Sequence, residues 1–178
     1  ERHIGIAEDG ALSGLNAAYM SDGLILTVDA GVLLKDPVQI LHLATAPAAY
    51  HLRHIVALGE GAVANVCESY VGTSGTYWTN AVTAISLNKD AKLFHAKQQG
   101  EGVAAFHTAR TVAEIAAEAR FESFVLQTGG KIARNEIVAS LNGEGAKISM
   151  LGVALGREHQ HMDNTTEIVH AAAHCTSD

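Results

Sequence analysis

"GEGAVANVCESYVG" (residues 59–72) returns three times in altered form: as "KDAKLFHAKQQG" (89–100), "AEARFESFVLQTGG" (117–130) and "GEGAKISMLGVALG" (143–156). Each copy carries an alanine just past its corner. These alanines are Ala62, Ala91, Ala119 and Ala146, at separations of 29, 28 and 27 residues. A strand-like run follows each alanine and stops at a glycine: Gly72, Gly100, Gly129 and Gly156. A second apolar run then closes each unit: "NAVTAISL", "TARTVAEI", "NEIVASL" and "NTTEIVHA". The unit is therefore strand, glycine turn, strand, corner, with a period of about 28 residues. Self-similarity at such a period is the signature of a solenoid, in which each unit stacks on the next.

For short strands the solenoid is an all-β parallel β-helix. Every strand must satisfy its N–H and C=O groups. Stacking equivalent strands about 4.8 Å apart does so, and it lines up equivalent positions in ladders. Alternation sends every second side chain inward, so in "AKISMLGVAL" Ile148, Met150, Gly152 and Ala154 share one face and Lys147, Ser149 and Leu151 the other. The earlier run "GLILTVDAGVLLKDPVQILHLA" (23–44) reads as two more β-rich stretches broken by a turn. "GVAAFHTARTVAEIAAEARFE" (102–122) is rich in Ala, Glu and Arg, and local propensity favours helix there. The repeat lays it across two stacked units, and stacking overrides a weak local preference, so it is read as strand.

Composition agrees with one globular domain. Hydrophobic residues make up 48% of the 178 and charged residues 17%. With aromatics at only 5%, the core must be built from Ala, Val, Ile and Leu. A net charge of -7, with no basic stripe, argues against a nucleic-acid surface. No uninterrupted apolar run is long enough to span a membrane. The opening "ERHIGIAEDG" lacks the basic and apolar regions of a signal peptide. Cys67 and Cys175 are too few and too far apart for a disulfide framework and read as free thiols.

Five potential metal ligands crowd "HQHMDNTTEIVHAAAHC" (159–175). His159 and His161 are spaced H-x-H, and His170, His174 and Cys175 follow. Imidazole and thiolate are zinc, iron or copper ligands. In one flat strand, however, His174 and Cys175 point to opposite faces. The alternative is a polar corner in which Asp163, Asn164 and Thr165 satisfy backbone groups at a turn. On this reading no metal is resident, with His159, His161, His170 and His174 as the ligand candidates. "TGGKIARNEI" (128–137) lacks the spacing of a phosphate loop, so Gly129–Gly130 reads as a corner needing positive φ. Cys67, among apolar neighbours, reads as a small core residue. The carboxylates Glu60, Glu144 and Asp163 read as turn residues, unpaired for acid–base work.

Several ordered phrases together resemble the SufB/SufD family of iron–sulfur cluster assembly scaffolds, on its SufD side. They are "LNAAYMSDGLILTV", "GEGAVANVCESYVG", "YWTNAVTAISLNKDAKLFHAKQQGEG", "TGGKIARNEIVASLNGEGAKISMLG" and "QHMDNTTEIVHAAAHCTS". The resemblance implies a right-handed parallel β-helix over residues 1–178, as the single core domain of a longer chain. It implies a non-catalytic scaffold that pairs with a SufB-type subunit and acts with the SufC-type ATPase. The family's ATPase-docking part and its late Cys-Ser-His-Gly motif have no counterpart here. No bound cofactor is then expected in this chain, with an iron–sulfur cluster present transiently in the full complex. The compartment implied is the cytoplasm, or the plastid stroma. Arg134 and Asn135 match a family Arg-Asn pair and carry over as structuring or interior polar residues. His161, Asp163, His170 and Cys175 carry over as family-motif positions on the scaffold or its partner surface. Open strand edges add an expectation of self-association. Two other classes stand beside this one: a cupin-like metalloprotein using His159, His161 and His170, and a carbohydrate-active β-helix enzyme, which would need a carboxylate cluster in a groove.

Overall fold

The computed structural model describes residues 10–72 and 75–178; the reading of the first nine residues lies outside them. One helix, α1 (Ala11–Tyr19), precedes twelve strands: β1 (Asp22–Val28), β2 (Val38–Ala44), β3 (Ala49–Leu58), β4 (Val63–Gly72), β5 (Trp78–Leu87), β6 (Lys92–Gln99), β7 (Phe106–Ile115), β8 (Arg120–Gln127), β9 (Ile132–Leu141), β10 (Lys147–Ala154), β11 (His161–His170) and β12 (Thr176–Ser177). The odd strands form one six-stranded sheet in the order β1-β3-β5-β7-β9-β11, and the even strands form the other, β12-β10-β8-β6-β4-β2. Every pairing is parallel, and partners lie one period apart, as in Trp78 with Phe106 and Lys92 with Arg120. The chain alternates between two facing sheets and climbs one coil per repeat, as the sequence period predicts. The segment 102–122 is strand, turn and strand, not helix.

The corner before each even strand shows why the repeat is written as it is. Gly31, Gly61, Asp90, Glu118, Gly145 and His174 all take positive φ, between 56° and 73°. The next residue turns inward, and Ala62, Ala91, Ala119 and Ala146 are fully buried there. A methyl fills this seat in four successive corners. Gly143 is required for a different reason: a Cβ on it would lie 2.0 Å from the backbone nitrogen of Ala117 in the coil below. Beside this corner the interior is apolar. Val56, Leu58, Ile85, Leu87, Leu93, Ile115, Phe121, Leu141 and Ile148 form one continuous column. Each such side chain contributes about 1.5–3 kcal/mol by leaving water.

α1 lies on the outer face of the odd-strand sheet, against β3 and β5. A polar clamp fixes it: the Asn16 amide donates to the carbonyls of Leu52 and Asn80 at 2.9 and 2.8 Å, Arg53 donates to Asn16 Oδ1 at 3.3 Å, and the Asn80 amide donates to Leu12 O at 3.0 Å. Three readings of single residues change. Asp163, Asn164 and Thr165 sit inside β11, not at a turn, because each is paired in register with Arg134, Asn135 and Glu136 of β9. Cys67 points out of the coil, since Val66 and Glu68 on either side of it take the inward phase of β4. Gly130 has the expected positive φ of 81°, whereas Gly129 is needed because a Cβ there would meet the Glu101 backbone at 2.1 Å.

Candidate functional site: a buried polar interior

The half of the interior away from the apolar column is polar and ionisable. Strand alternation puts Glu68 and Tyr70 of β4, His95, Lys97 and Gln99 of β6, and Gln127 of β8 on the inward phase of the even sheet. His54, Thr79, His107 and Asn135 face them from β3, β5, β7 and β9. All ten are buried.

Two carboxylates anchor the network. Glu68 Oε2 accepts the Tyr70 hydroxyl at 3.1 Å, and Glu68 Oε1 lies 3.3 Å from His95 Nε2, out of line for a hydrogen bond. Burial pushes this carboxyl up, but His95, with Lys97 and His54 behind it, outweighs burial and holds it well below the ordinary range. Glu101 accepts from the Thr79 hydroxyl at 2.6 Å and the Gln99 amide at 3.0 Å, and its Oε2 lies 2.7 Å from His107 Nδ1. Burial raises the Glu101 carboxyl as well, and the bond to His107 together with its charge brings it below normal. Lys97 donates to Asn135 Oδ1 at 3.3 Å, and burial, partly offset by Glu68, lowers its ammonium. Tyr70 stands at the centre. Its ring stacks on His42 at 4.4 Å, takes the edge of His107 at 4.8 Å, and lies 5.7 Å below Lys97 Nζ. Burial, with Glu68 second, raises its hydroxyl well above the usual tyrosine value.

His54 stands outside these carboxylate pairings. It is 1% exposed, and among the described residues neither ring nitrogen has a hydrogen-bond partner. Its ring lies 4.8 Å from that of His42. Burial is the main cause that lowers its pKa to about 4, against the pull of Glu68. A cavity of about 350 Å³, bordered by Asp22, His42, Tyr50, Leu52, Tyr70 and Thr79, adjoins this end of the network.

The sequence-predicted residues are dispersed. Arg134 and Asn135 face opposite ways: Arg134 is half-exposed and pairs with Asp163 at 3.3 Å across the coils, while Asn135 is buried on Lys97. His161 is exposed at the start of β11, and His159 lies in the turn before it. His170, at the far end of β11, meets the Ser177 hydroxyl at 3.1 Å. His174 occupies the positive-φ corner, 80% exposed and 3.8 Å from Glu144. Cys175 takes the inward corner seat that Ala62, Ala91, Ala119 and Ala146 fill in earlier coils, and its thiol donates to Gly143 O at 3.3 Å. His161 and His170 are thus about 30 Å apart along one strand. Among the described residues no three of His, Cys, Asp or Glu converge as a metal site. The buried carboxylates Glu68 and Glu101 lie inside the coils, not in an open groove, each accepting from a hydroxyl, Tyr70 and Thr79. Sequence reading passed over this interior, though the phase of "LFHAKQQ" already puts Leu93, His95, Lys97 and Gln99 on one face.

Comparison with known proteins places the chain. The family model described as "SUF system FeS cluster assembly, SufBD core domain" matches residues 41–178, from β2 through β12. An iron–sulfur cluster assembly SufBD family protein of Synechocystis is 26% identical over 184 residues, covering 94% of this chain and 41% of that protein. The iron–sulfur cluster assembly protein SufD of Escherichia coli is 27% identical over 158 residues, covering 85% of this chain and 37% of its own length. Protein ABCI7, chloroplastic, of Arabidopsis thaliana is 27% identical over 145 residues, 75% of this chain and 30% of the relative. The chain therefore spans less than half the length of these relatives. With a matching profile over residues 41–178, most of its coils, the chain belongs to the SufBD core-domain family.

Proposed function

We propose that this chain is the β-helical core of a scaffold subunit in iron–sulfur cluster assembly, pairing with a SufB-type subunit and working with a SufC-type ATPase. The observation that carries the reading is the family match running unbroken from β2 through β12. The geometry supports a scaffold. Two continuous ladders make a stiff column, and its buried carboxylates are spent on neighbouring side chains of the interior. The role is non-catalytic: iron and sulfide are cargo, and no covalent step is assigned to a residue of this chain. Arg134, Asp163, His161 and His170 lie on or beside the outer surface of the β9–β11 ladder, where a partner subunit would meet them. The compartment is the cytoplasm, or the plastid stroma, in keeping with a relative named chloroplastic. Among the described residues no helix is long and apolar enough to cross a membrane.

The test is co-expression of the full-length protein with the SufB-type and SufC-type proteins of its own organism. The expected result is one complex of all three on size exclusion, and loss of cluster loading in cells that lack this subunit. A SufB–SufC complex that forms and loads clusters equally well without it overturns the reading.

A further inference from the structure

The corner between β9 and β10 is built differently from those before it. Leu141 to Ala146 spans five steps, where 58–62, 87–91 and 115–119 span four. In each earlier corner a single N–H, that of Glu60, Lys89 or Ala117, donates to no carbonyl among the described residues; here two in succession do not, those of Gly143 and Glu144. The corner is nonetheless stacked on both sides. The Asn142 N–H donates to Ile115 O at 2.8 Å in the coil below, and the Ala171 N–H donates to Leu141 O at 3.1 Å from the coil above. Its exposure is that of a corner, not that of an end of the solenoid.

Asn142–Gly143 is the one Asn-Gly pair in the sequence. The Asn142 side chain is exposed and bonds to nothing among the described residues, so its amide is free to turn toward the main chain. The nitrogen it meets there is that of Gly143. A side chain at 143 would shield that nitrogen and restrict the backbone around it; glycine does neither. Nor can the glycine be exchanged, because a Cβ on it would lie 2.0 Å from the Ala117 nitrogen. The requirement that packs this corner therefore also leaves its most labile peptide unit in place.

We propose that Asn142 is a site of spontaneous deamidation in the folded protein, with water as the co-reactant. The Gly143 nitrogen, its proton taken up by solvent base, attacks Asn142 Cγ. The C–N bond that forms closes a succinimide, and the bond from Cγ to the side-chain nitrogen breaks, releasing ammonia. Water then opens the ring at either carbonyl: attack at Cγ yields aspartate, and attack at the main-chain carbonyl yields isoaspartate. Nothing is oxidised or reduced. Either product adds a negative charge near Glu144. Isoaspartate also lengthens the main chain by a methylene, next to the Gly143 carbonyl that accepts the Cys175 thiol at 3.3 Å. The proposal is independent of the assembly role.

The test incubates the native full-length protein at mildly alkaline pH and follows Asn142 and Asn88 by peptide mapping, with electron-transfer fragmentation to separate aspartate from isoaspartate. Asn88 is the comparator because it holds the same corner seat, its N–H on Leu58 O at 3.0 Å, but precedes Lys89. Asn142 is expected to disappear about ten-fold or more faster than Asn88, with isoaspartate among the products. Asn142→Gln should abolish the reaction, since the longer side chain would have to close a larger ring. A loss of Asn142 short of that margin overturns the proposal. So does aspartate without isoaspartate, or a reaction that persists in Asn142→Gln.

Discussion

His54 shows how much one side chain can decide. A buried polar ring without partners costs stability in its neutral form and more when charged. Its folded pKa of about 4 lies below the unfolded value of 6.5, so between those pH values the unfolded chain binds more protons than the folded one, and stability falls as the solution is acidified through that window. The gap corresponds to about 3 kcal/mol. His54→Leu is therefore expected to raise the denaturation midpoint at pH 7 and to flatten the loss of stability between pH 6.5 and 4; an unaltered acid limb in urea titrations would show that the ring is not its source. Glu68 behaves oppositely. Its folded pKa is depressed, so its contribution is present above the unfolded carboxylate value and is lost as pH falls through the folded one. Glu68→Leu leaves Lys97 and His95 buried without their anion, and a cost of about 3–5 kcal/mol is expected by the same titration. None of this was legible as function in the sequence. Charged residues on the inward phase contradict the rule that strands bury apolar side chains, and nothing local says that Glu68, His95 and Lys97 satisfy one another across adjacent coils.

Elements were more legible than residues, because ladders repeat. The corner alanines and the glycines behind them fixed the period, since each position meets its own equivalent one coil away. Their seat explains Cys175: it is the corner residue of its coil, held on Gly143 O, and its native thiol is expected to react with thiol reagents far more slowly than in denaturant. Labelling at the denatured rate would remove it from that seat. Gly143→Ala forces a Cβ into the Ala117 backbone, and a loss of about 1–3 kcal/mol without change in the denaturant slope is expected. Where reading failed, pairing had overruled composition. Asp-Asn-Thr at 163–165 has turn-forming residues, yet β9 supplies ladder bonds to all three. α1 went unnoticed because nine residues without a charged flank or a side-chain cap leave almost no helical signature; its position comes from Asn16, Arg53 and Asn80.

At the scale of the molecule the solenoid is nearly one-dimensional: β5 rests on β3 and β7, while among the described residues β1 and β11 are each paired on one side only. Stability should then be graded, because a coil with two neighbours loses two interfaces on opening and an edge coil loses one. Slowest hydrogen exchange is expected in β5 through β8, and the fastest strand exchange in β1, β2, β11 and β12. Equal protection throughout would mean that the 178 residues unfold as one unit and that the nearest-neighbour description fails. The same experiment addresses self-association. In a chain of these 178 residues alone, an unpaired parallel edge is a template for another strand, and β11, ten residues long, is the longer of the two described edges of its sheet. If chains join there, protection in β11 should rise with protein concentration while that in β5 stays constant, and the sedimenting mass should rise with it. A monomer mass and a β11 exchange rate that both ignore concentration would show that this edge, though open, does not recruit a second chain.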